Sequence, residues 1–373
     1  MATRTLATNQ DVEDFVRGCV FFGTGGGGSP VEGAELLRTQ LSAGRKPGWI
    51  DVDEIPDEAW CVRISRTGTT APPTPEMVAE KERLGLGPAE LDQVKVIGEL
   101  SEYTGHAIRV VVPPEIGAGN SSAAIATAAR GGLLVVDGDY VGRAIPEVSM
   151  TTPCLAGKPI WPMATVDRWG NVCLIKQTVS YEMAERFARH MAVASFGNTA
   201  LAGFLLQGQE MKQIVVRNTM TECLELGRDI RQARESGTDP VEAAVKSVGG
   251  WLLFEGTVVR ETGENRGGFY WGEHVIRGQG AFAGHEMKIW FKNESLVSWK
   301  DEKPFVTAPD MIVLMERPNG EPLTNNMVKE GSELAVVGVR AREAFRTPAG
   351  VGILGPRHFG FDIDYVPIEQ LMG

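Results

Sequence analysis

The chain has 373 residues, of which 43% are hydrophobic and 23% charged, and it carries a formal net charge of −11 at pH 7. That length suffices for two domains with cores of their own, and the acidity excludes nucleic acid and an anionic membrane as main partners. No run is long and apolar enough for a membrane span, the N-terminal MATRTLATNQDVEDF has no signal core, and five cysteines without CxxC spacing read as reduced thiols of a cytoplasmic protein.

Val12, Phe15, Val16, Cys19 and Val20 recur at helical spacing between charged residues, with Asn9 as the expected N-cap. The helix runs into Gly23-Thr24-Gly25-Gly26-Gly27-Gly28. A second helix then opens at Ser29-Pro30-Val31-Glu32, a capping box with proline in its first turn. Residues 23–28 match GxGxxG, but a helix precedes them where a strand is needed, and no lysine follows. The dinucleotide and P-loop readings therefore both fail. Two readings are left: backbone N–H groups at Thr24, Gly25, Gly26 and Gly27 that hold a substrate anion, or a tight joint between two helices.

Residues 49–52 and 60–65 read as strands, residues 67–75 as a polar loop that either faces a site or merely connects, and residues 76–84 and 88–104 as helices. Residues 109–152, RVVVPPEIGAGNSSAAIATAARGGLLVVDGDYVGRAIPEVSMTT, then read as strand, loop, helix, strand, loop. Either Ser121 or Ser122 can cap the alanine-rich helix, which Gly131 and Gly132 end. In such a βαβ unit Glu115 and the Asp137/Asp139 pair lie beyond carboxyl ends of parallel strands, the edge at which open α/β sheets bind ligands.

Three acids there, with Arg143, Glu147, Thr151 and Thr152 close behind, form the expected catalytic centre. Crowded carboxylates separate in pKa, which suits acid and base roles for Glu115, Asp137 and Asp139. Arg143 either neutralises the cluster or grips a substrate carboxylate, and Asn120, Glu147, Thr151 and Thr152 join it as substrate-binding candidates. No cofactor is required by the pattern; a divalent metal, zinc or magnesium, on the aspartate pair is the alternative. Cys154 reads as an inert thiol more readily than as a nucleophile. Beyond residue 152 the chain has strand-like runs around Trp169-Gly170-Asn171, helices over 182–195, 221–236 and 240–248, and mostly strands from Trp251 onward. Near its end, Arg357 and His358 in PRHFG read as a ligand loop for an anionic substrate.

The expected architecture is therefore an N-terminal α/β domain with a mostly parallel sheet over residues 1–165 and a β-rich α+β domain over residues 166–373. The segments DVEDFVRGCVFFGTGGGGSP, IDVDEIPDEA, PPEIGAGNSS, VVDGDYVGRAIPEVSMTT and GPRHFGFDIDY resemble a family associated with hydantoinase and oxoprolinase systems and named for S-methyl thiohydantoin desulfurase. Between Glu115 and Asn120 this chain has Gly117-Ala118-Gly119 where consecutive glycines are usual in that family. The resemblance implies the same two-domain organisation and hydrolysis of a small anionic five-membered ring. An S-methyl thiohydantoin bearing a propionate would lose methanethiol to give the hydantoin, a step in breakdown of ergothioneine-type compounds. The alternatives are another cyclic-amide or metal-dependent small-ring hydrolase, or a non-catalytic subunit of a hydantoinase-type system. A homo-oligomer is expected, and Asp137→Asn is expected to abolish turnover.

Overall fold

The structure is a computed structural model that describes residues 4–68 and 74–373, so residues 69–73 of the polar loop lie outside the described residues. The first helix, Asn9–Phe22, is capped by Thr8 rather than Asn9. The Thr8 hydroxyl accepts the Asp11 N–H at 3.0 Å while the Asp11 carboxylate accepts the Thr8 N–H at 3.1 Å. Ser29 caps Pro30–Ser42 as its spacing predicts, accepting from the Glu32 N–H.

A six-stranded mixed sheet runs in the order Leu134–Val135, Ile108–Val112, Trp60–Gly68, Asn198–Gln207, Met163–Val166, Val172–Ile175. Its first three strands are parallel and the remaining pairings antiparallel. Pro113 and Pro114 lack the N–H groups that would extend the Ile108–Val112 ladder, so the chain leaves the sheet there and delivers Glu115 at a parallel strand's carboxyl end. The following helix, Ala118–Gly131, starts ahead of both serines, with Gly117 at its N-cap. Ser121 instead accepts the Gly117 N–H at 3.2 Å and donates to the Glu115 carbonyl at 3.2 Å. A division at residue 165 falls inside the strand Met163–Val166, and Asn198–Gln207 from beyond it sits at the centre of this sheet.

The second sheet is antiparallel and eight-stranded, in the order Lys303–Thr307, Glu294–Lys300, Glu286–Lys292, Phe269–Gly278, Trp251–Arg266, Glu333–Val339, Met311–Glu316, Glu321–Pro322. Helices fill the space between the sheets. The Asn9–Phe22 helix and the Thr219–Ser236 helix touch backbone to backbone, because a Cβ on Gly18 would stand 1.9 Å from the Cys223 carbonyl oxygen and one on Gly227 would stand 1.8 Å from that of Asp14. The buried Asp14 carboxylate ties the two helices by accepting Arg231 Nε at 3.0 Å. Phe15, Val16 and Cys19 share one core with Val62, Ile64 and Val111 of the first sheet and Met311, Val313 and Val337 of the second. Each such fully buried large apolar side chain contributes about 1.5–3 kcal/mol, so the helical layer holds the two sheets as one body. Among the described residues no helix is long and apolar enough to cross a membrane.

Candidate functional site

Side chains alternate along Trp60–Gly68, so Val62 and Ile64 enter the helical core while Arg63 and Ser65 face the other way. On that other face lies a pocket of about 190 Å³. Its walls include Arg63, Ser65, Glu115, Glu147, Glu185 and Arg189. The Tyr181–Ala194 helix supplies Ala184 and Ala188 as an apolar wall, and the second sheet closes the pocket with Gly268 and Asn293. Arg189, fixed to Glu185 at 2.7 Å, stacks its guanidinium 4.3 Å over the Phe269 ring and so seats the hairpin tip against this helix.

Glu115 is the acid at the centre of this arrangement. One carboxylate oxygen accepts the Ile145 N–H at 2.7 Å and the other accepts the Asn120 amide. Burial pushes its pKa up to about 7, against the pull of the Ile145 N–H, the nearby Arg63 guanidinium and Asn120; the neighbouring Asp139 adds to the rise. A carboxyl group that gains and loses its proton near neutrality, in a pocket wall, is suited to general acid–base work.

Glu147 also lines the pocket but has the opposite character. Its carboxylate meets His358 Nε2 at 3.1 Å and the Lys292 ammonium, and these partners hold its pKa down at about 2. It is a fixed negative charge that joins the loop after Asp139 to the second sheet. His358 thus reaches the site through Glu147, whereas Arg357 points to the surface and pairs with Asp362 at 2.8 Å and Asp364 at 3.0 Å.

The other expected residues are structural in their contacts. Asp137 caps the Thr219–Ser236 helix, accepting from Met220 N at 3.1 Å, Thr221 N at 3.0 Å and the Thr221 hydroxyl at 2.5 Å. Asp139 is fully buried and accepts from Val141 N at 2.6 Å and Gly142 N at 2.7 Å; burial raises its pKa to about 6. Neither aspartate lines the pocket. Thr151 donates to the Val148 carbonyl and Thr152 to that of Tyr140, which folds their loop without facing the pocket. The Cys154 thiol is pushed up to about 11 by burial and donates to the Val148 carbonyl at 3.4 Å, a poor setting for a thiolate nucleophile.

The structure corrects two binding assignments. Arg143 has no donor left for a substrate. It bonds the carbonyls of Ala144, Pro309, Asp310 and Ser295 and the Thr24 hydroxyl at 2.9–3.2 Å, and it is buried. The glycine loop is a joint as well. Gly27 and Gly117 pack so closely that a Cβ on Gly27 would stand 2.5 Å from Gly117 Cα, and the Gly27 carbonyl accepts the N–H groups of Gly119 and Asn120. The carboxyl group at this loop belongs to the chain itself. Glu294, buried on a strand of the second sheet, has an oxygen where a Gly26 Cβ would lie, 2.0 Å away, and the Gly27 N–H faces it. Burial and the nearby Glu115 hold its carboxyl well above the usual range.

Arg63, Glu185, Arg189, Lys292 and Glu294 escape a reading by motif. Period-two alternation in CVRIS would have flagged Arg63, a charge amid a buried strand. Lys292 and Glu294 sit in sequence like any solvated strand charges. A metal is poorly served: among the described residues no three His, Cys, Asp or Glu side chains are arranged to hold a metal ion, and Asp137 and Asp139 spend oxygens on separate backbone networks.

Two family sequence models match the chain. The one described as S-Me-THD-like, N-terminal domain, matches residues 10–177, and the one described as S-Me-THD-like, C-terminal domain, matches residues 179–368. No curated relative matches it. A crystal structure of a protein from Chromobacterium violaceum superposes with a TM-score of 0.79 at 22% identity, covering 98% of this chain and 100% of that one. That likeness is one of fold.

Proposed function

The chain belongs to the S-Me-THD-like family, and from that premise we propose that it hydrolyses the carbon–sulfur bond of a small S-methyl thiohydantoin, releasing methanethiol and leaving the hydantoin. The observation that carries this reading is Glu115: a carboxylate at a strand end, in a pocket sized for a small ring, with its pKa raised to about 7. Glu115 takes a proton from water as the oxygen adds to the ring carbon that bears sulfur, and that carbon's double bond to ring nitrogen opens onto the nitrogen. The tetrahedral adduct then collapses to the carbonyl. Its carbon–sulfur bond breaks, and methanethiolate takes the proton back from Glu115. The water's second proton ends on the ring nitrogen, so each turnover consumes one water and returns Glu115 to its starting state. General base help of this kind supplies roughly 10²–10⁴-fold.

Asn120 and the Ile145 N–H orient the Glu115 carboxylate, and Asp139 acts on it through the loop that carries Ile145. Asp137 keeps a positioning role through the helix it caps. Thiol release from a panel of S-methyl thiohydantoins by the purified chain, with and without chelator, tests the reading. Release that survives chelation supports it. A chain that hydrolyses cyclic amides but releases no thiol belongs to the other class of small-ring hydrolase, and one inert towards both is a non-catalytic subunit.

A further inference from the structure

Cations in and around the pocket are mostly spent. Lys292 is bound to Glu147, Arg189 to Glu185 at 2.7 Å, and Arg66 reaches Glu32 at 3.6 Å. Arg63 is different. It is 9% exposed, and among the described residues no carboxylate lies within salt-bridge distance of it. Its Nη1 donates to the Ser65 hydroxyl at 3.0 Å, and its Nε is buried with no hydrogen-bond partner among the described residues. A guanidinium taken out of water is costly when Glu115 and Glu185 act on it from nearby without pairing with it, and that cost is recovered when a ligand supplies a paired anion.

We propose that Arg63 is the specificity-determining residue that grips a carboxylate on the substrate's side arm and so sets the ring against Glu115. This assignment rests on the reading of the pocket as the site of ring hydrolysis. The planar fork of Arg63 suits a carboxylate, which it can meet with two parallel N–H groups. A singly charged group also matches the local balance. Glu115, Glu147 and Glu185 stand in the same walls and would repel a phosphate dianion more strongly than a carboxylate. The volume of about 190 Å³ accommodates a five-membered ring with a short acidic arm. The grip that the sequence assigned to Arg143 thereby passes to the strand Trp60–Gly68.

The test is calorimetric binding of two stable probes, a hydantoin with a short carboxyalkyl arm and its primary amide, to the wild-type chain, Arg63→Met and Arg63→Lys. The wild type should prefer the acid by about 10- to 100-fold, the worth of a charge-assisted hydrogen bond. Arg63→Met should lose that preference while its affinity for the amide stays within about twofold. Arg63→Lys keeps the charge without the fork, should retain part of the preference, and serves if the Met variant does not fold. Equal weakening of both probes, or a wild type indifferent to the arm, overturns the assignment. A wild type that shows no acid preference yet releases thiol from an S-methyl thiohydantoin overturns Arg63 alone. An intact preference without thiol release from any S-methyl thiohydantoin overturns the reaction and leaves the anchor standing.

Discussion

Arg143 donates to the Thr24 hydroxyl at 2.9 Å, and Thr24 is held at a φ of +49°. A β-branched residue in left-handed backbone is strained, so this contact helps fix the entrance of the glycine loop. The same guanidinium reaches three carbonyls from the second sheet's segments, at Ser295, Pro309 and Asp310. Arg143→Met should strand those buried acceptors and destabilise the fold by about 3–5 kcal/mol in chemical denaturation. Were Arg143 a substrate grip instead, the variant would keep its stability and lose only affinity.

Gly27→Ala should be as damaging for a different reason. Its φ of +79° is unfavourable for alanine, and the added Cβ would meet the backbone of Gly117 at 2.5 Å. Neither backbone can yield without parting the two loops, so a loss of at least about 2 kcal/mol is expected in the same denaturation experiment. A Gly27→Ala chain of wild-type stability would show that the joint is looser than this packing demands.

Asp137→Asn should keep turnover within a few-fold of the wild type. Asparagine caps helices about as well as aspartate, and its oxygen can still accept from Met220 and Thr221, so the cost in stability is about 1 kcal/mol or less. Steady-state kinetics decide the matter: complete loss of turnover in a folded Asp137→Asn chain would return the proton transfer to the Asp137 side of the loop.

Glu147 gives a pH dependence with a definite sign. Its carboxyl lies near 2 in the folded chain against an ordinary 4.5, because His358 and Lys292 favour the charged form. Its stabilising contribution is therefore complete above about 4.5 and is lost as the pH falls towards about 2. The Tm difference between wild type and Glu147→Gln should be largest near neutrality and shrink across that window. A difference that does not change with pH would rule out this ion cluster as its source.

Much of the scaffold can be read from residues: the Pro113-Pro114 stop that delivers Glu115, the Ser29 cap, the Gly131-Gly132 helix end and the turn-punctuated strands of the second sheet. The strand Asn198–Gln207 is harder to see. It is buried on both faces, so NTALAGFLLQ has a continuous apolar run in place of an alternating pattern. At the site, local signals nominate Glu115 because a βαβ unit predicts what stands at its strand ends, and Glu115 and Glu147 both stand in the pocket wall. They cannot separate Asp137, which caps a helix about 80 residues away in sequence, from an acid that faces solvent or substrate. Arg63 and Arg143 are a similar pair. Which of two arginines is spent on carbonyls depends on segments near Thr24, Ser295 and Pro309 that only the tertiary fold assembles.

Methanethiol release from an S-methyl thiohydantoin as a function of pH, for the wild type and Glu115→Gln, tests most directly whether Glu115 moves the proton. Since the basic form is the active one and its pKa is about 7, wild-type kcat/KM should fall on the acid side with an apparent pKa near 7. Glu115→Gln, with its fold intact by circular dichroism, should lose roughly 10²–10⁴-fold and with it the acid limb. A Glu115→Gln chain that releases thiol at near wild-type rate, or keeps the acid limb unchanged, would show that another group moves the proton.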